Sequence, residues 1–145
     1  MASRSLSDAH PFLAERFLLL AETYAQRFAP WSLLITCVYR TPEEQAVLYA
    51  QGRTTPGPKV TWTLRSKHTM APARAIDVVP VLDRDGPAGP MKGVVDFNDL
   101  GRFRPLIALA RTVGLLSGGI WMPPDWPHIE MQTEFPSPVV GGEVV

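Results

Sequence analysis

Leu13, Phe17, Leu20 and Tyr24 recur at helical spacing between Pro11 and Pro30, which predicts one amphipathic helix with a single apolar stripe. From Trp31 to Tyr39 that period gives way to a run of apolar, β-branched and aromatic residues, the pattern of a buried strand. Thr41-Pro42-Glu43-Glu44 opens a second helix, with Thr as N-cap, Pro at the first position and acids in the first turn. It should run to about Gln51 and stop at Gly52. Ala75 to Val81 reads as a second buried strand, with Asp77 in its middle. Phe97 to Val113 predicts a third helix, which Pro105 either kinks or starts. Gly118 to Trp121 and Pro127 to Met131 predict two short strands around a Pro-rich turn.

The stretches between these elements carry no period. Residues 53 to 75 are rich in Thr, Pro, Lys and Arg and read as a long irregular segment, a kind that in compact domains often carries function. Asp83 to Gly93 is a Gly/Pro turn region; its Asp83-Arg84-Asp85-Gly86 lacks most of a calcium loop and reads as a plain turn. From Phe135 the chain is Pro, Gly and Val without pattern, expected to be a loosely held tail. With no internal repeat, residues 1–145 read as one domain with a core at about 11–132. The predicted class is α+β, a small, mainly antiparallel sheet packed against helices.

Composition narrows the function classes. Hydrophobic residues make up 46% and charged residues 19%, a globular balance. Lys plus Arg equals Asp plus Glu at 14 each, so no net field favours nucleic acid or an anionic membrane surface. The single Cys37 has no internal disulfide partner and lies in an apolar run, where it reads as a buried core thiol. Met1 to Asp8 lacks the apolar core of a secretory signal, and Phe17 to Ala21 is too short and too closely flanked by charge to span a bilayer. The expectation is a monomer made in a cytoplasm, without membrane insertion.

Chemistry must come from few residues. Of the three histidines, His10 lies in the polar N-terminal lead, where a solvated role is the ordinary one. His68 sits in Ser66-Lys67-His68 at the far end of the irregular segment. His128 follows Asp125-Trp126-Pro127, on a strand that puts Glu130 on the same face. Asp77, between Ala75-Ile76 and Val78-Val79, would be partly buried, which is costly unless it is paired or bound to a cation. Each feature alone has a plain explanation: a solvated loop histidine, a structural His–Glu pair, an aspartate bonded to backbone or to Arg74.

Taken together, Ser66-Lys67-His68, then Ala75-Ile76-Asp77, then Asp125-Trp126-Pro127-His128 resemble the signature of the D-Ala-D-Ala/L-Ala-D-Glu zinc peptidase superfamily, which includes VanX- and VanY-like enzymes. The resemblance runs from about Trp31 to Met131. It implies Zn2+ held by His68, Asp77 and His128 in a cleft on the sheet, with the fourth position left to water. Asp125 would be the general base, placed beside the metal without binding it. Tyr39-Arg40-Thr41-Pro42-Glu43-Glu44-Gln45, with Leu48 to Thr54, Pro56-Gly57 and Val60-Thr61, resembles the phage endolysin L-alanyl-D-glutamate endopeptidase branch. That likeness implies an electrostatic role for Arg40, a place for Gln45 along the cleft, and Ser66 orienting His68 by a hydrogen bond. Arg53 would anchor the loop after the helix.

Two departures bear on the cleft. The His-to-Asp spacing is longer by two residues, with Thr69 to Arg74 filling the gap, and the family's Gly-Gly-Asp-Trp is Gly118-Gly119-Ile120-Trp121 here. The implied substrate is the peptidoglycan stem peptide, reached in the periplasm after a holin opens the inner membrane. The same metal site would also serve a D-alanyl-D-alanine carboxypeptidase or dipeptidase, and a non-catalytic wall-binding or virion module is the alternative outside the enzymes.

Overall fold

The computed structural model describes residues 2–82 and 100–132. The predicted turn at 83–93, the start of the third helix at 97–99 and the tail from Phe135 lie outside the described residues.

Helix α1 (Pro11–Phe28) begins with Pro11 in its first turn, and the Nδ1 of His10 accepts the Phe12 N–H at 3.1 Å. His10 is therefore a helix cap, satisfying one of the donors that the first turn leaves over, rather than a solvated lead residue. Leu13, Phe17, Leu20 and Tyr24 are at most 2% exposed, so the predicted stripe is the face that α1 lays on the sheet. The Tyr24 hydroxyl donates to the Arg102 carbonyl at 2.7 Å, which keeps a buried polar atom satisfied. Leu20 is fully buried. Leu20→Ala should cost about 2–5 kcal/mol in transfer and cavity terms, read as a lowered midpoint in chemical denaturation with an unchanged slope.

Four strands form one sheet in the order β1 (Trp31–Cys37), β2 (Ala75–Leu82), β4 (His128–Glu130) and β3 (Leu116–Ser117), with every neighbouring pair antiparallel. Helices α2 (Pro42–Ala50), α3 (Leu100–Phe103) and α4 (Pro105–Thr112) complete the α+β architecture among the described residues. None of these helices is long and apolar enough to cross a membrane. Helix α2 carries a full capping box: the Thr41 hydroxyl accepts the Glu44 N–H at 3.1 Å, and the Glu44 carboxylate accepts the Thr41 N–H at 2.9 Å.

Three boundaries differ from the sequence pattern. Strand β1 ends at Cys37 rather than Tyr39, because the N-terminal lead takes over the pairing: Val38 N–H donates to Ser3 O and Ser3 N–H to Tyr39 O. The third helix is divided at Arg104, and Pro105 starts α4, having no N–H to carry the helical ladder across. Gly118–Ile120 is a single 3₁₀ turn, not a strand. The Ser117 hydroxyl accepts the Gly119 N–H at 3.0 Å, and the Gly118 carbonyl accepts from Trp121 at 3.1 Å and Asp125 at 2.8 Å, so these groups close a loop instead of a ladder. A Cβ on Gly118 would lie 2.6 Å from the Asp125 carbonyl and 3.0 Å from the His128 Cβ. Only glycine admits that approach to the Asp125–His128 segment.

Candidate metal centre

Strand register places three chemically able side chains in one row. Asp77 on β2 pairs with His128 on β4 on one side and with Cys37 on β1 on the other. Directly opposed residues in antiparallel strands share a face. A bulge between Ile35 and Cys37 inserts Thr36, so that Cys37, not Thr36, opposes Asp77. His68 reaches the row from the 3₁₀ turn Lys67–Thr69, which is held by Arg40 N–H donating to His68 O and Arg74 N–H donating to Lys67 O, both at 2.9 Å. Both imidazoles are buried, His68 to 2% and His128 to 6% exposure.

The hydrogen bonds behind each ring fix which nitrogen faces inward. His68 Nδ1 lies 2.9 Å from the Val38 carbonyl, an acceptor only, so Nδ1 carries a proton and Nε2 is the nitrogen turned to Asp77. His128 Nε2 lies 2.9 Å from Glu130 Oε1, so here Nδ1 is the free nitrogen. The two free nitrogens meet the same oxygen: Asp77 Oδ1 is 3.1 Å from His68 Nε2 and 3.4 Å from His128 Nδ1. His68 Nε2 and Asp77 Oδ1 are buried without a hydrogen-bond partner. Uncompensated buried polar atoms are rare and costly. Donor atoms each about 2.0–2.2 Å from a tetrahedral zinc stand roughly 3.3 Å apart, close to the two distances at Asp77, and two imidazoles with a carboxylate are donor types that zinc takes.

A different donor set is also within reach, since Cys37, His68 and Asp77 each offer a ligand atom within 4.8 Å of one another. The Cys37 sulfur, however, lies 3.6 Å from His68 Nδ1, the edge of the ring already engaged by Val38, and 3.4 Å from the Arg40 guanidinium. A cation there would displace a hydrogen bond and sit beside a fixed positive charge.

The electrostatics of the cluster favour positive charge. Burial disfavours a proton on His68, but the Asp77 carboxylate and then the Cys37 thiol outweigh it and push the group up to about 10. Burial likewise opposes a charge on His128, and Asp77 and Glu130 raise it nonetheless. Asp77, which burial alone would raise, is held well below the usual carboxylate range by His128 and His68. Asp125 goes the other way: burial and the nearby Asp77 charge raise it. Its side chain is half exposed, and Oδ2 is 3.9 Å from His128 Nδ1, beside the converging atoms but not among them.

The remaining predicted site residues fall around this cluster. Arg40 Nη2 is 3.9 Å from Asp77 Oδ2, and its Nη1 donates to Gln45 Oε1 at 2.7 Å. Gln45, expected along the cleft, is fully buried behind Arg40, where its amide also donates to Thr63 O at 2.7 Å and Thr61 Oγ1 at 3.2 Å. It braces Arg40 against the loop and has no surface to offer a ligand. The Ser66 hydroxyl accepts the His68 backbone N–H at 3.1 Å, so it caps the 3₁₀ turn, while the ring itself is oriented by Val38. Arg53 holds the loop after α2, donating to Tyr49 O at 2.6 Å and Thr61 O at 3.2 Å with its guanidinium 3.8 Å from the Tyr49 ring centre.

The cluster opens into a cleft of about 810 Å³, whose lining includes Arg40, Lys59, Trp62, Arg65, Trp121 and Asp125. Reading the sequence alone left out Trp121, whose ring centre is 4.8 Å from that of His128, and Lys67, whose ammonium lies 2.8 Å from Glu130. It also placed Cys37 in the core without its contact to His68.

The chain shares its fold with the crystal structure of Serratia marcescens L-Ala D-Glu endopeptidase ChiX. The TM-score is 0.58 at 21% identity, over 91% of this chain and 89% of that one. No family model and no curated protein matches the sequence.

Proposed function

We propose that the chain is a zinc-dependent peptidoglycan peptidase, with His68, Asp77 and His128 holding the ion, that acts as an endolysin on the L-alanyl–D-glutamate bond of the stem peptide. The observation that carries this reading is the convergence of His68 Nε2 and His128 Nδ1 on Asp77 Oδ1 at 3.1 and 3.4 Å at the base of an open cleft. The fold shared with an L-Ala D-Glu endopeptidase supports the choice of bond.

Bound zinc supplies Lewis-acid polarisation of the scissile carbonyl and a lowered pKa for attacking water. Asp125 would act as the general base, taking a proton from the attacking water and passing it to the leaving amine. Its half-exposed side chain beside His128 leaves it room to reach the substrate. Glu130 is unsuited to this work, because both its oxygens are engaged, one by His128 and one by Lys67. Arg40, fixed by Gln45 and lining the cleft beside Asp77, would favour negative charge developing there, and a donor fixed in advance needs no reorganisation during the reaction. Lys59 and Arg65 give the cleft wall a positive lining suited to the carboxylates of a stem peptide. Action in the periplasm after holin-mediated release, by a single-domain monomer, fits this substrate.

Mass spectrometry of products from purified Gram-negative peptidoglycan, with and without a zinc chelator, tests the reading. Chelator-sensitive release of peptides beginning at D-glutamate is expected. Loss of terminal D-alanine would transfer the same site to a D,D-carboxypeptidase. No product from a zinc-loaded protein would favour a wall-binding or virion module.

A further inference from the structure

We propose that Lys67 and Glu130 form a clamp that sets the orientation and spacing of the two zinc-binding imidazoles, and so the affinity of the site for zinc. The inference rests on the zinc reading above. Glu130 Oε1 accepts from His128 Nε2 at 2.9 Å, and Glu130 Oε2 accepts from Lys67 Nζ at 2.8 Å. Lys67 Nζ donates as well to Met131 O at 2.7 Å and Gln132 O at 3.0 Å, so all three ammonium hydrogens are used and its position is fixed.

Chain positions give the clamp its meaning. Lys67 is the immediate neighbour of His68, and Glu130 lies one strand repeat beyond His128. The ion pair therefore ties the 3₁₀ turn carrying one imidazole to the strand carrying the other. Glu130 is shielded, with its side chain 13% exposed, which makes its charge felt more strongly than on an open surface. A carboxylate behind a ligating imidazole fixes its tautomer and increases the donor strength of the other nitrogen, which here is the Nδ1 facing Asp77. Lys67 acts through Glu130: it holds the carboxylate in line with His128 and balances its charge. Both are positioning residues, and neither lies against the Asp77 oxygen where the free nitrogens meet.

Zinc dissociation constants of the whole protein, from competition with a chromophoric chelator, test the clamp alongside thermal unfolding of the zinc-free forms. Glu130→Gln should weaken zinc binding by about 10- to 100-fold. Lys67→Met should weaken it to a smaller degree, Lys67→Arg should restore most of the loss, and the double variant should bind no more weakly than Glu130→Gln alone. With Co2+ as probe, the visible absorption of Glu130→Gln should shift, which a purely structural staple would not produce. Affinities within twofold of wild type, with only the melting temperatures lowered, would overturn the clamp and leave the zinc reading intact. A wild-type protein that binds no zinc would overturn both.

Discussion

His128→Ala is expected to leave the protein without bound zinc after dialysis and without measurable turnover. The variant removes the Nδ1 that sits 3.4 Å from Asp77 Oδ1, reducing the converging set from three atoms to two. Metal-derived stabilisation of the transition state amounts to several kcal/mol, and a loss of roughly 4 kcal/mol is already a thousandfold in rate. The substitution also strips Glu130 of one of its two partners while Lys67 still holds the other oxygen, so the strand should stay in place. Metal analysis of the dialysed variant, with circular dichroism to confirm folding, checks the result. Full zinc occupancy in His128→Ala would refute the ligand assignment.

Asp125→Ala is expected to separate binding from chemistry. Its carboxylate stands 3.9 Å from His128 Nδ1 and does not share the Asp77 oxygen, so zinc content should remain at the wild-type level. Turnover should fall by about 10²- to 10⁴-fold, the usual contribution of a placed general base. The loss should appear in kcat with KM little changed, because an interaction made only in the transition state is removed. Near-normal rates would move the base elsewhere, and Glu130, engaged at both oxygens, is poorly placed to take over.

Which parts of this arrangement could be read from the sequence follows from what periodicity reports. The α1 stripe was legible because residues 13, 17, 20 and 24 must share a face on any helix, and all four are buried. The α2 cap was legible because its partners, Thr41 and Glu44, are local. The likeness of motifs named His68, Asp77 and His128 without a geometry; strand register sets Asp77 against His128, and the Lys67–Thr69 turn brings His68 beside Asp77. Side chains whose partners lie far along the chain were not legible. The role of Lys67 depends on Glu130, that of Gln45 on a loop carbonyl at Thr63, and that of Cys37 on His68. Gly118-Gly119-Ile120-Trp121 was read as a strand because its composition permits one, yet close approach to Asp125 and His128 decides its shape.

X-ray absorption at the zinc edge of the zinc-loaded wild-type protein tests the metal centre most directly. The proposed site predicts one zinc per chain with only nitrogen and oxygen neighbours, at about 2.0–2.2 Å, from His68, Asp77, His128 and water. A sulfur neighbour at about 2.3 Å would place the ion on Cys37 instead, and with it contradict the site on which the proposed reaction depends.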